Sequence, residues 1–310
     1  MVSKVKFSVF ADLHYREGDW NWSAKRLEDI LKRAKDENSR FIMHCGDFCH
    51  NVHTAAAILD RYNNFEIPTY HTMGNHDFEE TFTVQEVCEA YKMKEKNYYS
   101  FDIDGIKFIS LDTNYFHDKE GNMCHYASSS VWDKCHQVEL CLSEDELEFL
   151  DRELETASGT VVIFSHASPV RFNGITNKDE LIKIIDRHCD KPVFWINGHY
   201  HRNNLTLKGN MAVLDLNSTT SDWVNNEHNA YPPELMAKFR LSNHSLLFDK
   251  PVHAVVTVSS DGEIIIEGMT GSMYMGITHE MTGNVSEDKC GLPCDASVLS
   301  AHFKIFTKNK

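Results

Sequence analysis

Short apolar runs recur at 5–11, 41–45, 68–73, 160–164 and 193–197, rich in Val, Ile, Phe and Tyr and too brief for core helices, which predicts buried β-strands. Between them the apolar period lengthens. Residues 23–37 place Leu27, Ile30, Leu31 and Ala34 on one helical face behind Ser23 as N-cap, and 54–62, 83–91 and 178–188 read as further helices. Residues 143–155 add another, with Ser143 and Glu146 at the spacing of a capping box. Three hairpins are predicted: 98–103 with 106–112 around Asp104-Gly105, 204–207 with 211–216 around 208–210, and 254–259 with 263–268 around Asp261-Gly262. Strands and helices in alternation make an α/β fold.

Each of the five apolar runs stops at polar residues: Asp12-Leu13-His14, Gly46-Asp47, Gly74-Asn75-His76-Asp77, Ser165-His166 and Gly198-His199-Tyr200-His201. In open α/β sheets ligands gather beyond the carboxyl ends of the strands, so clusters scattered in sequence converge there in space. The donors are oxygen and imidazole nitrogen without thiolate, a set that suits Mn, Fe, Zn, Co or Ni. Seven candidate ligands result: Asp12, His14, Asp47, Asn75, His166, His199 and His201. That is too many for one ion, since a catalytic zinc takes about three protein ligands. Two ions sharing a carboxylate would use them all, with Asp47 as the natural bridge. Glycine ahead of Asp47, Asn75 and His199 permits close backbone approach.

The order D-x-H, G-D, G-N-H-D, H and G-H-x-H, from Asp12 to His201, resembles the calcineurin-like metallophosphoesterase superfamily. The resemblance implies a four-layer αββα sandwich of two mixed sheets flanked by helices. It also implies that Asp12, His14, Asp47 and His201 hold one metal, that Asp47, Asn75, His166 and His199 hold the other, and that His76 is a free catalytic imidazole oriented by Asp77. The implied chemistry is hydrolysis of a phosphoester by in-line attack of a hydroxide formed between two cations, about 3.5–4 Å apart, of Mn, Fe or Zn.

Within the superfamily, Phe48-Cys49-His50-Asn51 stands where protein Ser/Thr phosphatases have Asp-Arg-Gly, and purple acid phosphatases carry a glycine in place of His14 and a tyrosine in place of Phe48. Residues 142–150 and Ser165-His166-Ala167-Ser168-Pro169 resemble the bacterial cyclic-nucleotide and glycerophosphodiester phosphodiesterase branch, although Ala167 replaces a histidine common there. A phosphodiesterase of a small phosphoester or nucleotide is therefore expected. A phosphomonoesterase, a nucleotide pyrophosphatase and a nuclease use the same site, and a silent interaction scaffold, like the retromer subunit of this architecture, is the alternative from another class.

Composition adds bounds. At 310 residues with 42% hydrophobic and 25% charged residues, the chain has material for one large core. It divides into a catalytic domain at 1–269 and an extension at 270–310 packing on it. A net charge of −15 disfavours long nucleic acid as a substrate. No apolar run or leader pattern suggests a membrane span or export, and nine cysteines without a framework fit reduced thiols, so a cytoplasmic setting is expected. Oligomeric state is not readable.

Substrate contacts are sought in the variable segments. Arg16, Trp20 and Trp22 follow the first ligands, His50 follows the second motif, and Trp223 lies in 217–226 after the last. Residues 114–141, with Tyr115, His117, His125, Tyr126, Trp132 and His136, are expected to form a loop over the site. His53 and His71 lie near ligand segments. Cys290 and Cys294 have the spacing of a zinc half-site or redox pair, but no matching pair stands beside them, and they are read as free thiols.

Overall fold

The computed structural model describes residues 2–16, 20–80, 83–93, 96–127, 140–223, 231–239, 245–283 and 286–308, with the side chains of 20, 21, 238 and 239 outside that description. The strands are β1 (Lys4–Phe10), β2 (Ile42–Cys45), β3 (Thr69–Thr72), β4 (Tyr99–Ile103), β5 (Ile106–Ser110), β6 (Tyr115–His117), β7 (Met123–His125) and β8 (Val161–Ser165). They continue with β9 (Val193–Asn197), β10 (Asn204–Lys208), β11 (Met211–Asp215), β12 (Ser221–Trp223), β13 (Ser245–Leu247), β14 (Ala254–Ser259), β15 (Glu263–Gly268) and β16 (Ala301–Lys304). The helices are α1 (Trp20–Asp36), α2 (Ala56–Asn63), α3 (Val84–Ala90), α4 (Glu144–Thr156), α5 (Lys178–Arg187) and α6 (Pro233–Phe239).

Two six-stranded mixed sheets form, in the orders β16-β15-β14-β1-β2-β3 and β10-β11-β9-β8-β5-β4. Strands β1, β2 and β3 are parallel, as are β5, β8, β9 and β11, and β4, β10 and β16 lie antiparallel at three of the four sheet edges, the fourth being β3. Alternate residues of each strand face different cores. Val5, Phe7 and Val9 meet Phe108, Phe164, Phe194 and Val256 between the sheets, where the Phe7 ring stands edge-on to Phe108 and Phe164 at 5.8 Å. The opposite faces, with Phe10 and Ile42 or Ile163 and Trp195, pack under Leu27 and Ile30 of α1 and under Leu150 and Leu154 of α4. The inner strands β8 and β9 are therefore buried on both sides and their sequences are nearly continuously apolar, whereas β1 begins in alternation, with Lys4 and Lys6 outside the buried set. The molecule is the expected four-layer sandwich.

Several local expectations match. Ser143 Oγ accepts the Glu146 N–H while the Glu146 carboxylate accepts the Ser143 N–H, closing the capping box of α4. Asp104 and Gly105 both take positive φ, 51° and 80°, in the turn between β4 and β5. Ser23 is different. It is buried inside α1, which starts three residues earlier, and Trp22 in that first turn packs on Tyr274 and under the Arg26 guanidinium. Residues 114–141 also differ from a plain loop, because β6 and β7 pair as a hairpin within them; Trp132 and His136 fall outside the described residues. After residue 269 the chain has little regular structure until β16 pairs with β15 and completes the first sheet.

Candidate metal centre

The carboxyl ends of β1, β2, β3, β8 and β9 meet at one edge of the sandwich, and the polar clusters that follow them converge. Left-handed backbone makes this possible: Asp12 (φ 56°), His14 (50°), Asp47 (59°), His199 (75°) and His201 (51°) all turn sharply where the strand ends. Non-glycine residues rarely adopt this region, and each such placement costs on the order of 1–3 kcal/mol. Their concentration at one site marks it as functional.

The side chains fall into two touching groups. In one, Asp12, His14 and His201 bring one donor atom each within 4.8 Å of one another; in the other, Asp47, His166 and His199 do the same. Asp47 Oδ2 spans them, 3.8 Å from His14 Nε2 and 3.0 Å from His166 Nε2.

Backbone carbonyls fix the imidazoles. His166 Nδ1 donates to the Cys45 carbonyl at 2.9 Å and His201 Nδ1 to the Ser221 carbonyl at 2.6 Å, so both turn Nε2 inward, toward Asp47 and Asp12 respectively. His14 Nδ1 meets His50 Nε2 at 3.2 Å and likewise presents Nε2. Asp12 is anchored from both ends: its carboxylate accepts the His199 N–H, and its carbonyl accepts the hydroxyls of Ser218 and Thr220.

The residues fit a pair of cations. His14 Nε2 and His201 Nε2 stand 3.1 Å apart, and His166 Nε2 stands 3.2 Å from His199 Nδ1, spacings that place a proton or a cation between each pair of nitrogens. Asn75 Oδ1 is buried without a hydrogen-bond partner, an orphan acceptor that a cation would satisfy. Burial holds His14 well below its ordinary pKa, against the pull of Asp47, and brings His199 down to about 3. Burial acts on His166 in the same sense, but the adjacent Asp47 prevails and raises it to about 10. The pocket thus demands positive charge beside Asp47, and supplies neutral imidazoles around it. Glycine makes the room: a Cβ on Gly74 would lie 2.2 Å from Asp47 Oδ1, one on Gly46 2.3 Å from His166 Nδ1, and one on Gly198 2.5 Å from Asp12 Oδ2.

The expected pairing of His76 with Asp77 does not form. Asp77 is wholly buried and its carboxylate accepts the N–H groups of Asp47, Phe48, Cys49 and Gly74, because this turn leaves those four donors without strand or helix partners. It shapes the loop that carries Asp47. Glu79 takes the role instead, with Oε2 3.0 Å from His76 Nδ1 and also paired with His50 Nδ1. Burial opposes its ionisation, yet hydrogen bonds from His50 and His76 hold the Glu79 carboxyl well below the usual range. Sequence reading overlooked Glu79, although the short 3₁₀ turn Asn75–Phe78 puts it three residues from His76, one turn along the same face.

The substrate candidates separate. His50 is buried behind His14 and bonded to it and to Glu79, so it steadies the site rather than facing a substrate. Arg16 is half exposed with Nη2 3.9 Å from Glu79. Trp223 is at the site, its ring stacked on His201 at 5.1 Å and 6.2 Å from that of His76. The Trp20 side chain lies outside the described residues. His53 pairs with Glu86 at the surface, and His71 is enclosed by His44, Asn63 and Tyr91 away from the centre. His125 pairs with buried Asp112 and His117 is exposed, so neither joins the centre.

A pocket of about 760 Å³ is lined by Asn75 and His199 from the candidate centre and by Tyr126, Arg171, Phe172, Tyr200, Arg202 and Lys289. Arg171 was not singled out from the sequence. Its guanidinium lies over the Tyr200 ring at 4.4 Å and bonds Asp288 at 2.8 Å, so the C-terminal segment helps to wall the pocket.

Comparison with known proteins agrees with this arrangement. A family model described as calcineurin-like phosphoesterase matches residues 5–203. The zebrafish (Danio rerio) protein named serine/threonine-protein phosphatase CPPED1 is 27% identical over 186 residues, 53% of this chain, and the match spans only about half, 54%, of that relative. Among solved structures, a dimetal phosphatase from Danio rerio superposes with a TM-score of 0.59 at 14% identity, covering 85% of this chain and 95% of the other. GAP50, the anchor in the inner membrane complex of Plasmodium, superposes at 0.54 and 14% identity over 99% of this chain and 90% of its own. The chain belongs to the calcineurin-like phosphoesterase family.

Proposed function

We propose that the protein is a binuclear metal-dependent phosphodiesterase acting on a small phosphoester or nucleotide. Asp12, His14, Asp47 and His201 hold one ion and Asp47, Asn75, His166 and His199 the other. The bound pair, of Mn, Fe or Zn, supplies Lewis acidity and makes a water proton easy to lose near neutral pH. The rest is the work of this chain. His76, with Nδ1 tied to Glu79, is oriented to use Nε2 as a proton donor to a phosphoryl oxygen or to the ester oxygen that leaves as the P–O bond breaks. A quarter of its side chain is open to solvent, so a substrate can reach it. Asp77 holds the loop and Glu79 the imidazole.

The observation that carries the diester reading is that the centre touches two separate features able to take a substituent, the Trp223 ring and the pocket that includes Asn75 and His199. A diester has two substituents; Trp223 offers a stacking face to one, and the pocket beyond Asn75 and His199 has space for the other. Arg171, Arg202 and Lys289 outnumber Asp288 among the charged residues lining that pocket, which favours an anionic substrate in a chain that is otherwise strongly acidic. Long nucleic acid is repelled by the same overall charge. No helix among the described residues is long and apolar enough to cross a membrane, and the reading includes a cytoplasmic setting, supported by the odd number of cysteines.

A second reading, a phosphomonoesterase that includes phosphoprotein among its substrates, is favoured by the name of the zebrafish relative. Manganese-loaded protein assayed on bis- and mono-nitrophenyl phosphate separates the two. Faster turnover of the diester supports the proposal; a strong preference for the monoester overturns it in favour of the second.

A further inference from the structure

We propose that Asp222, His279 and Cys294 form a separate site for one zinc-class divalent cation, which fastens the C-terminal segment to the catalytic sandwich. The three come from distant parts of the chain: Asp222 from β12, His279 just ahead of the 3₁₀ turn Glu280–Thr282, and Cys294 from the return arm that bridges Glu287 to Pro293. One donor atom of each lies within 4.8 Å of the others, and His279 Nε2 is 2.9 Å from Asp222 Oδ2. Donors arranged tetrahedrally around zinc, with bonds of about 2.0–2.3 Å, stand roughly 3.3–3.8 Å apart, so small side-chain shifts suffice. Asp222 and His279 are nearly inaccessible to solvent.

The chemistry of the donors sets this cluster apart from the main centre, which has no sulfur. Thiolate, imidazole and carboxylate together select zinc or cobalt over magnesium or calcium. Charge is balanced too: Asp222 and a Cys294 thiolate neutralise a divalent ion, while Arg202 occupies the other oxygen of Asp222. Burial pushes the Cys294 thiol up to about 11, with Arg202 opposing and Asp222 and Asp288 adding, so the thiol keeps its proton unless a cation displaces it. Next to Cys294 in sequence, Asp295 has an Oδ1 that is buried without a hydrogen-bond partner.

The fold has use for such a fastening. Between β15 and β16 the described chain contains two 3₁₀ turns and isolated bridges but no helix or long strand, and segments of that kind are commonly held by a metal or a disulfide. Its two candidate ligands lie on either side of the arm that carries Asp288 and Lys289 into the substrate pocket. A plainer account leaves Asp222 satisfied by Arg202 and His279 alone, with Cys294 a bystander.

Cobalt distinguishes these accounts. The full-length protein loaded with Co(II) is expected to show a near-ultraviolet thiolate-to-cobalt charge-transfer band and to bind three equivalents of metal. Cys294→Ser should abolish the band and reduce the metal to two equivalents, while Cys290→Ser keeps both. Asp47→Asn should impair the main centre and leave the band, so that failure of the phosphodiesterase proposal is read separately from failure of this one. Absence of the band in the wild-type protein, or its survival in Cys294→Ser, overturns the site.

Discussion

At the scale of single residues, the imidazoles are set by what holds their far nitrogen. His166 and His201 are tied to backbone carbonyls and His76 to a carboxylate, the difference on which the proposed division between ligands and proton donor rests. Glu79→Gln removes the charge that orients His76 without touching a ligand. It is expected to lower kcat about tenfold, within the range for weakened acid–base assistance, with metal content unchanged by elemental analysis. The same substitution reports on stability. Since the folded-state pKa of Glu79 is depressed, its contribution is present above the unfolded carboxyl value of about 4.3 and is lost as pH falls toward the folded one. Urea titrations should show the variant less stable than wild type at neutral pH and the gap closing below about pH 4. The convergence of Asp12, His14, Asp47, His166, His199 and His201 was legible because each stands just after a strand end. Glu79 and Asp77 were harder to assign, because the partner of a given carboxylate depends on where a short turn points it, and neighbouring Asp77 was drawn instead to four amide groups.

At the scale of elements, strand periods and turn chemistry carried most of the fold. Asp104-Gly105 and the Ser143–Glu146 box are local devices whose residues act on their own backbone, and they read correctly. Ser23 misled because a serine ahead of an apolar stripe resembles a cap, whereas the packing of Trp22 on Tyr274, from far along the chain, extends α1 past it. The hairpin of β6 and β7 was hidden because three-residue strands have too few positions to display alternation. The turn leaving β3 bears a sharper requirement. A methyl group on Gly74 has no space beside Asp47, so Gly74→Ala is expected to push that carboxylate aside. Circular dichroism should show a folded protein, while elemental analysis should show loss of at least one of the two ions and the nitrophenyl phosphate assay a fall of at least about a hundredfold, as for loss of correct positioning of reacting groups.

At the scale of the whole molecule, the C-terminal segment is part of the sandwich. β16 covers the edge of β15, and Ala296, Val298 and Ile305 belong to the core between the sheets. A chain ending at residue 269 would bare that edge and its apolar neighbours, and is expected to aggregate rather than to survive as a weaker enzyme. Soluble yield and size-exclusion chromatography decide this; a monomeric, cooperatively folded 1–269 fragment would show the segment dispensable. Sequence alone gave no sign of this strand, since 301–304 is too short and too polar to stand out without its partner.

The carbonyl tethers on His166 and His201 have one more consequence. Because those rings are positioned by the strands and not by what they grip, removing the ions by chelation should leave the receptacle standing. Dialysis against a different divalent metal would then refill it without refolding, and the occupant in a living cell would follow whichever metal is in supply.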